Sequence, residues 1–205
     1  MPQEECEIIK KGLKESPLAF LSKNVIVVAD LIDEERTTTG EAESILPTVA
    51  IRNFDALVMK EAEGPRVYSL REANTGYLQA HYLPWNKNTG YYTILDVNIK
   101  PRLFFTAMLS GCGVGFVESS EKTAVRISHH NIACFKTERN FEELAKSLAF
   151  TDAKVLPSDY RPGGEGTGFA HVHGVMRDNR WWFYAQFITM KYNVFEIKDV
   201  YQLNK

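Results

Sequence analysis

The sequence predicts an α+β domain built on packed or mixed β-sheets, and three observations carry that expectation. Short runs of β-branched and aromatic residues recur along the chain, separated by Gly, Pro and Asn turns. Helical periodicity is confined to two segments. Hydrophobic residues make up 44% of the 205 positions and charged residues 24%, the balance of a soluble chain able to bury its own core. Residues 1–205 are therefore expected to form a single domain.

The elements follow in order. Glu4 to Leu13 reads as a helix, because Cys6, Ile9 and Leu13 are spaced to share one face. Asn24 to Leu31 holds a strand, followed by a polar loop around Thr37 to Gly40. Thr48 to Ile51, Ala56 to Met59, Tyr77 to Leu83 and Tyr91 to Leu95 are further strands, with Asn86 to Gly90 as a hairpin loop. Leu103 to Leu109 is apolar and too short for periodicity to choose between strand and helix. Val114 to Val117 and Thr123 to His129 read as strands. Asn140, with Glu143 three residues on, caps a second helix over Phe141 to Phe150. Glycines make Tyr160 to Gly168 a loop. Phe169 to Met176 and Trp181 to Met190 form a hairpin about Asp178-Asn179, and Val194 to Tyr201 follows as a strand. Both faces of Trp181 to Met190 are apolar, so that strand is expected to be covered on both sides.

Charge narrows the function classes. Twenty-four basic against 26 acidic side chains leave a net charge of -2, and basic clusters are short, so direct nucleic-acid binding is not expected. The N-terminus lacks the basic start and apolar run of a cleaved signal, and no apolar stretch approaches the ~18 residues of a membrane span. Three cysteines without CxxC spacing argue against a disulfide framework and a cysteine zinc site, and free thiols point to a reducing compartment. Cys6 and Cys134 read as packing residues.

Cys112 is different. It lies in Leu109-Ser110-Gly111-Cys112-Gly113-Val114-Gly115, where three glycines surround one thiol. Glycines permit positive φ and close substrate approach, and they leave successive N–H groups free to converge on an oxyanion. The alternative is a small hydrophobe buried in a tight turn. A nucleophilic thiol needs a base, and His129 and His130 lie seventeen and eighteen residues downstream. Alternation places Val125, Ile127 and His129 on the inward face, with Arg126, Ser128 and His130 on the other. His129 is thus the expected base and His130 the alternative, expected to be solvated. His171 and His173 share a strand face as two metal ligands would, but no third ligand sits at a convincing spacing, so no metal is expected.

A resemblance enters through these residues. Leu83-Pro84-Trp85, Leu103-Phe104-Phe105-Thr106, Leu109-Ser110-Gly111-Cys112 and then His129 follow in an order that resembles the Burkholderia lethal factor-like and cytotoxic necrotizing factor-like glutamine deamidase toxins. The likeness spans Leu83 to about Asn131, and the stretch between cysteine and histidine is longer than the family pattern. It implies a sandwich of two mixed β-sheets flanked by helices. It also implies a catalytic Cys112 and His129 oriented by Thr106, with backbone around Ser110, Gly111 and Gly113 holding the oxyanion. The implied activity is conversion of a glutamine in a host protein to glutamate without a cofactor. The target would be a translation-initiation RNA helicase or a Rho-family GTPase. The resemblance further implies a monomeric bacterial effector, secreted without a cleaved signal and acting in the host cytoplasm. Resolution of the thioester by an amine, giving transglutamination, and a non-enzymatic β-rich binding module are the competing expectations.

Overall fold

The computed structural model describes residues 1–28, 45–48, 51–59, 64–85, 90–131, 152–161, 168–192 and 194–204. Among these the chain is mostly β, with three short helices. Helices α1 (Pro2–Glu15) and α2 (Pro17–Leu21) precede β1 (Asn24–Val28), β2 (Ile45–Pro47), β3 (Ile51–Met59), β4 (Arg66–Glu72), β5 (Leu78–Leu83) and β6 (Gly90–Asp96). Then come β7 (Leu103–Thr106), β8 (Cys112–Glu118), β9 (Ala124–Asn131), β10 (Asp152–Val155), α3 (Pro157–Tyr160), β11 (Gly168–Arg177), β12 (Arg180–Lys191) and β13 (Val194–Gln202). The expected helix Phe141 to Phe150 and Cys134 lie outside the described residues.

Eight strands form one mixed sheet in the order β1-β4-β3-β5-β7-β11-β12-β13, and five form a smaller one in the order β10-β8-β9-β6-β2. The expected sandwich flanked by helices is not what forms. Instead the large sheet curls nearly closed around α1. Side chains from β1, β3, β4, β5, β7, β11 and β12 meet Cys6, Ile9 and Leu13 of α1 in one buried cluster. A flat sheet could not bring both of its ends to one helix; strand twist accumulated over eight strands can. The two ends then overlap, because Val25 of β1 and Val67 of β4 bury against Ile188 of β12. The amide of Gln186, fully buried on β12, donates to the Leu21 carbonyl at 2.6 Å and the Asn24 carbonyl at 2.7 Å, fastening the overlap.

The convex face of the central strands carries the small sheet. Phe104, Val172, Trp181, Phe183 and Ala185 pack there against Tyr91, Val114, Phe116, Val125 and Ile127. Strand β12 is therefore covered on both sides, as its two apolar faces require: Trp181 and Phe183 face the small sheet while Tyr184 faces α1. The cover on the second side is a helix inside the curl rather than one outside a sandwich.

Local readings divide in an informative way. Cys6, Ile9 and Leu13 are all buried along α1. The hairpin turns at Asp178 and Asn179, with φ of 50° and 54°, the left-handed pair that a two-residue connection favours. Leu103 to Leu109 resolves as strand only to Thr106, after which Leu109 makes a single bridge to Ala170. Strands β2, β4 and β10 and helices α2 and α3 fall outside the predicted elements; the strand expected over Thr48 to Ile51 is not found at Thr48, since β2 ends at Pro47 and β3 begins at Ile51. Strand β3 is longer than expected, because Asn53 and Asp55 alternate with buried Phe54 and Ala56 rather than breaking the strand.

A polar clamp ties the last residues to both sheets. Asn204 accepts the Phe183 N–H at 2.8 Å and donates to the Trp181 carbonyl and to Glu118, which also binds Arg180 at 2.7 Å. Asn204 is buried. Asn204→Ala leaves these partners unmatched, so a loss of about 1–3 kcal/mol is expected, measured as a lower urea midpoint at unchanged slope.

Candidate active site

Strands β8 and β9 pair antiparallel with Cys112 opposite Asn131, Gly113 opposite His130 and Val114 opposite His129. Residues directly opposite share a face, so His129 shares the face of Val114, which is also that of Cys112. Cys112 and His129 are thus diagonal neighbours on the core side, a relation that places β-carbons within about 7–8 Å. The alternation that singled out His129 holds: Val125 and Ile127 are in the core, and His129 is 2% exposed. His130 points the other way. It is fully buried rather than solvated, with Nε2 2.6 Å from the Ser128 hydroxyl, which in turn donates to the Gly115 carbonyl at 3.2 Å. The alternative base therefore faces away from the thiol.

Burial sets the electrostatics. Removal from water disfavours the imidazolium and lowers His129 to about 4, with the Leu83 and Pro84 backbone partly offsetting this. His129 is consequently neutral near pH 7, with a ring nitrogen able to accept a proton. Thr106, buried on β7, does not orient that ring here; its hydroxyl accepts the Val172 N–H at 3.1 Å. Among the described residues neither ring nitrogen of His129 makes a hydrogen bond, and the Leu83 and Pro84 backbone lies beside the imidazole. That segment was already conspicuous as Leu-Pro-Trp, though nothing in the sequence assigned it to the histidine.

Cys112 is the first residue of β8 rather than part of a loop, and it is 2% exposed. The turn before it is held by a residue that sequence reasoning assigned only to a loop. The Tyr160 hydroxyl accepts the Gly111 N–H at 2.8 Å and donates to the Cys112 carbonyl at 2.9 Å. Gly111 has φ of +138°, a conformation that suits glycine. Of the backbone groups expected to hold an oxyanion, the Gly111 N–H is therefore already engaged. Ser110 is exposed and Gly111 half-buried, so solvent reaches the turn from this side, while Gly113 is buried. Burial pushes the Tyr160 phenol upward, so it stays a donor at neutral pH.

Helix α3 brings Tyr160 there. Pro157 suits the first helical position, and the Asp159 carboxylate accepts the Leu156 N–H at 2.7 Å. The helix ends where β11 begins: a β-carbon at Gly168 would lie 1.9 Å from the Tyr160 carbonyl oxygen, so only glycine fits. Arg161, next in the chain, donates from Nε to the Gly168 carbonyl at 2.8 Å.

His171 and His173 do share a face of β11, with ring centroids 5.9 Å apart. They lie on the α1 side of the large sheet with Val175, remote from Cys112 on the opposite face. Burial lowers them to about 4 and about 3. Among the described residues no group of three or more metal-ligating side chains converges.

The fold and site together define a curled mixed-sheet protein with a buried cysteine and a neutral histidine on adjacent strands. No protein-family model matches the chain, and no curated protein does.

Proposed function

We propose that this protein is a protein-glutamine deamidase that uses Cys112 as nucleophile and His129 as base. The observation that carries the reading is the β8–β9 register, which sets the two side chains as diagonal neighbours on one face. The resemblance to the Burkholderia lethal factor and cytotoxic necrotizing factor toxins, through Leu83 to Trp85, Leu103 to Thr106 and Leu109 to Cys112, supports the same pair. His129 takes the thiol proton as sulfur attacks the side-chain carbonyl of glutamine. The tetrahedral oxyanion forms at the Cys112 turn, with the Gly111 N–H exchanging the Tyr160 hydroxyl for it, and the imidazolium passes its proton to departing ammonia. Water then cleaves the thioester, leaving glutamate and the free thiol. The substrate is a host protein, a translation-initiation RNA helicase or a Rho-family GTPase, met in the host cytoplasm.

The test is incubation of the purified protein with a host-cell lysate, followed by peptide mass spectrometry. Site-specific conversion of glutamine to glutamate is expected with the parent and is expected to vanish with Cys112→Ser. Equal conversion by the two proteins excludes the mechanism. Incorporation of an added primary amine at the same glutamine, in place of hydrolysis, assigns the chain to transglutamination.

A further inference from the structure

A cation lies beside the turn that precedes Cys112. Arg161 is half-buried, and its Nη1 lies 3.8 Å from where a β-carbon on Gly111 would stand, one residue from the thiol. Its stem is held in place: Nε donates to the Gly168 carbonyl at 2.8 Å, and the guanidinium lies 6.0 Å over the Phe169 ring. Among the described residues no carboxylate pairs with it, whereas Arg66 and Arg180 have theirs. An anchored guanidinium without a carboxylate partner among the described residues can bind one in a planar, two-point fashion. Exposed Ser110 and half-buried Gly111 are the parts of the cysteine turn that an incoming chain meets, and Arg161 borders Gly111.

We propose that Arg161 is a specificity-determining residue of the Cys112 site, engaging the side-chain carboxylate of an Asp or Glu close to the target glutamine. This rests on the deamidase reading for its substrate, though not for its electrostatics. The chain's net charge of -2 offers an acidic segment no general attraction, so discrimination falls to this local cation.

Two readouts separate the parts. In the first, Cys112 is alkylated with neutral iodoacetamide and with anionic iodoacetate, and the ratio of rates is compared between the parent, Arg161→Gln and Arg161→Lys. A preference for the anion is expected in the parent, lowered roughly threefold to tenfold in Arg161→Gln and partly kept in Arg161→Lys, which retains the charge but not the two-point geometry. An unchanged iodoacetamide rate shows that the fold and thiol are intact. In the second, two peptides capped at both ends, each with one glutamine flanked by Glu or by Lys, are assayed for ammonia release. The parent is expected to prefer the Glu peptide, through KM, and Arg161→Gln to lose that preference. An alkylation ratio that ignores the Arg161→Gln change overturns the proposal, as does equal use of the two peptides by the parent. A ratio that responds while neither peptide nor any lysate protein is deamidated removes the glutamine chemistry and leaves anion selection at Arg161 standing.

Discussion

Between pH 7.5 and pH 5 the protein is expected to lose several kcal/mol of folding stability. All five histidines of the chain, His81, His129, His130, His171 and His173, are buried. Burial lowers every one of them: His129 and His171 to about 4, His130 and His173 to about 3, and His81 in the same direction. A histidine whose native value is depressed binds fewer protons folded than unfolded once pH drops below the unfolded value of about 6.5. Its contribution is thus fully present above that pH and is lost as pH falls toward the native value. Each such proton tilts the balance by about 1.4 kcal/mol per pH unit, so four acting together tilt it by about 5.6 kcal/mol per pH unit. Against a total stability of about 5–15 kcal/mol, this is enough to unfold the chain near pH 5, above the range where carboxylates ordinarily drive acid denaturation. Among the described residues no carboxylate stands beside these four rings; the Gln186 side chain lies near His173 and the Leu83 and Pro84 backbone near His129, and neither ring makes a hydrogen bond. Urea midpoints measured across this pH range check the expectation, and His171→Gln flattens the dependence by removing one proton. A midpoint that does not move between pH 7.5 and pH 5 contradicts it.

The two adjacent histidines are expected to separate by function. His129→Ala should lower glutamine conversion by about a hundredfold to ten-thousandfold, the usual loss when a positioned base is removed. His130→Ala should leave conversion within a few-fold of the parent at neutral pH, because His130 faces away from Cys112. It should instead weaken the fold, by removing the 2.6 Å contact with Ser128 and the packing of a fully buried ring. Because His129 is neutral down to about pH 4, its own protonation does not limit activity at mildly acidic pH; unfolding does. Activity and stability should therefore fall together on the acid side. Comparing conversion rates with urea midpoints for both variants distinguishes the two histidines. Equal losses of activity from either substitution contradict the assignment.

What could be read in the residues was mostly what periodicity controls. Val125, Ile127 and His129 alternate, and that alone placed His129 inward. Cys6, Ile9 and Leu13 marked the buried stripe of α1, and Asp178-Asn179 marked the hairpin. What could not be read depends on distant parts of the chain meeting. Tyr160 holds the Gly111–Cys112 turn from 48 residues away, and no local pattern ties a tyrosine to a glycine at that distance. Thr106 bonds Val172, a partner fixed by how β7 meets β11. His130 looked solvated because alternation gives only the face a residue occupies, not whether that face is covered. The curl of the large sheet was hidden for a similar reason: twist and overlap are properties of the assembled sheet, and Val25 or Val67 looks like any strand valine until Ile188 lies against it.

The most direct measurement is a double-mutant cycle on glutamine conversion, with Cys112→Ala, His129→Ala and the combined variant assayed on the same target. A nucleophile and base acting as one unit predict that each single change falls to nearly the same residual rate and that the second change adds little. Losses that multiply, or a Cys112→Ala protein that still converts glutamine at the parental rate, contradict the claim that these two residues act together.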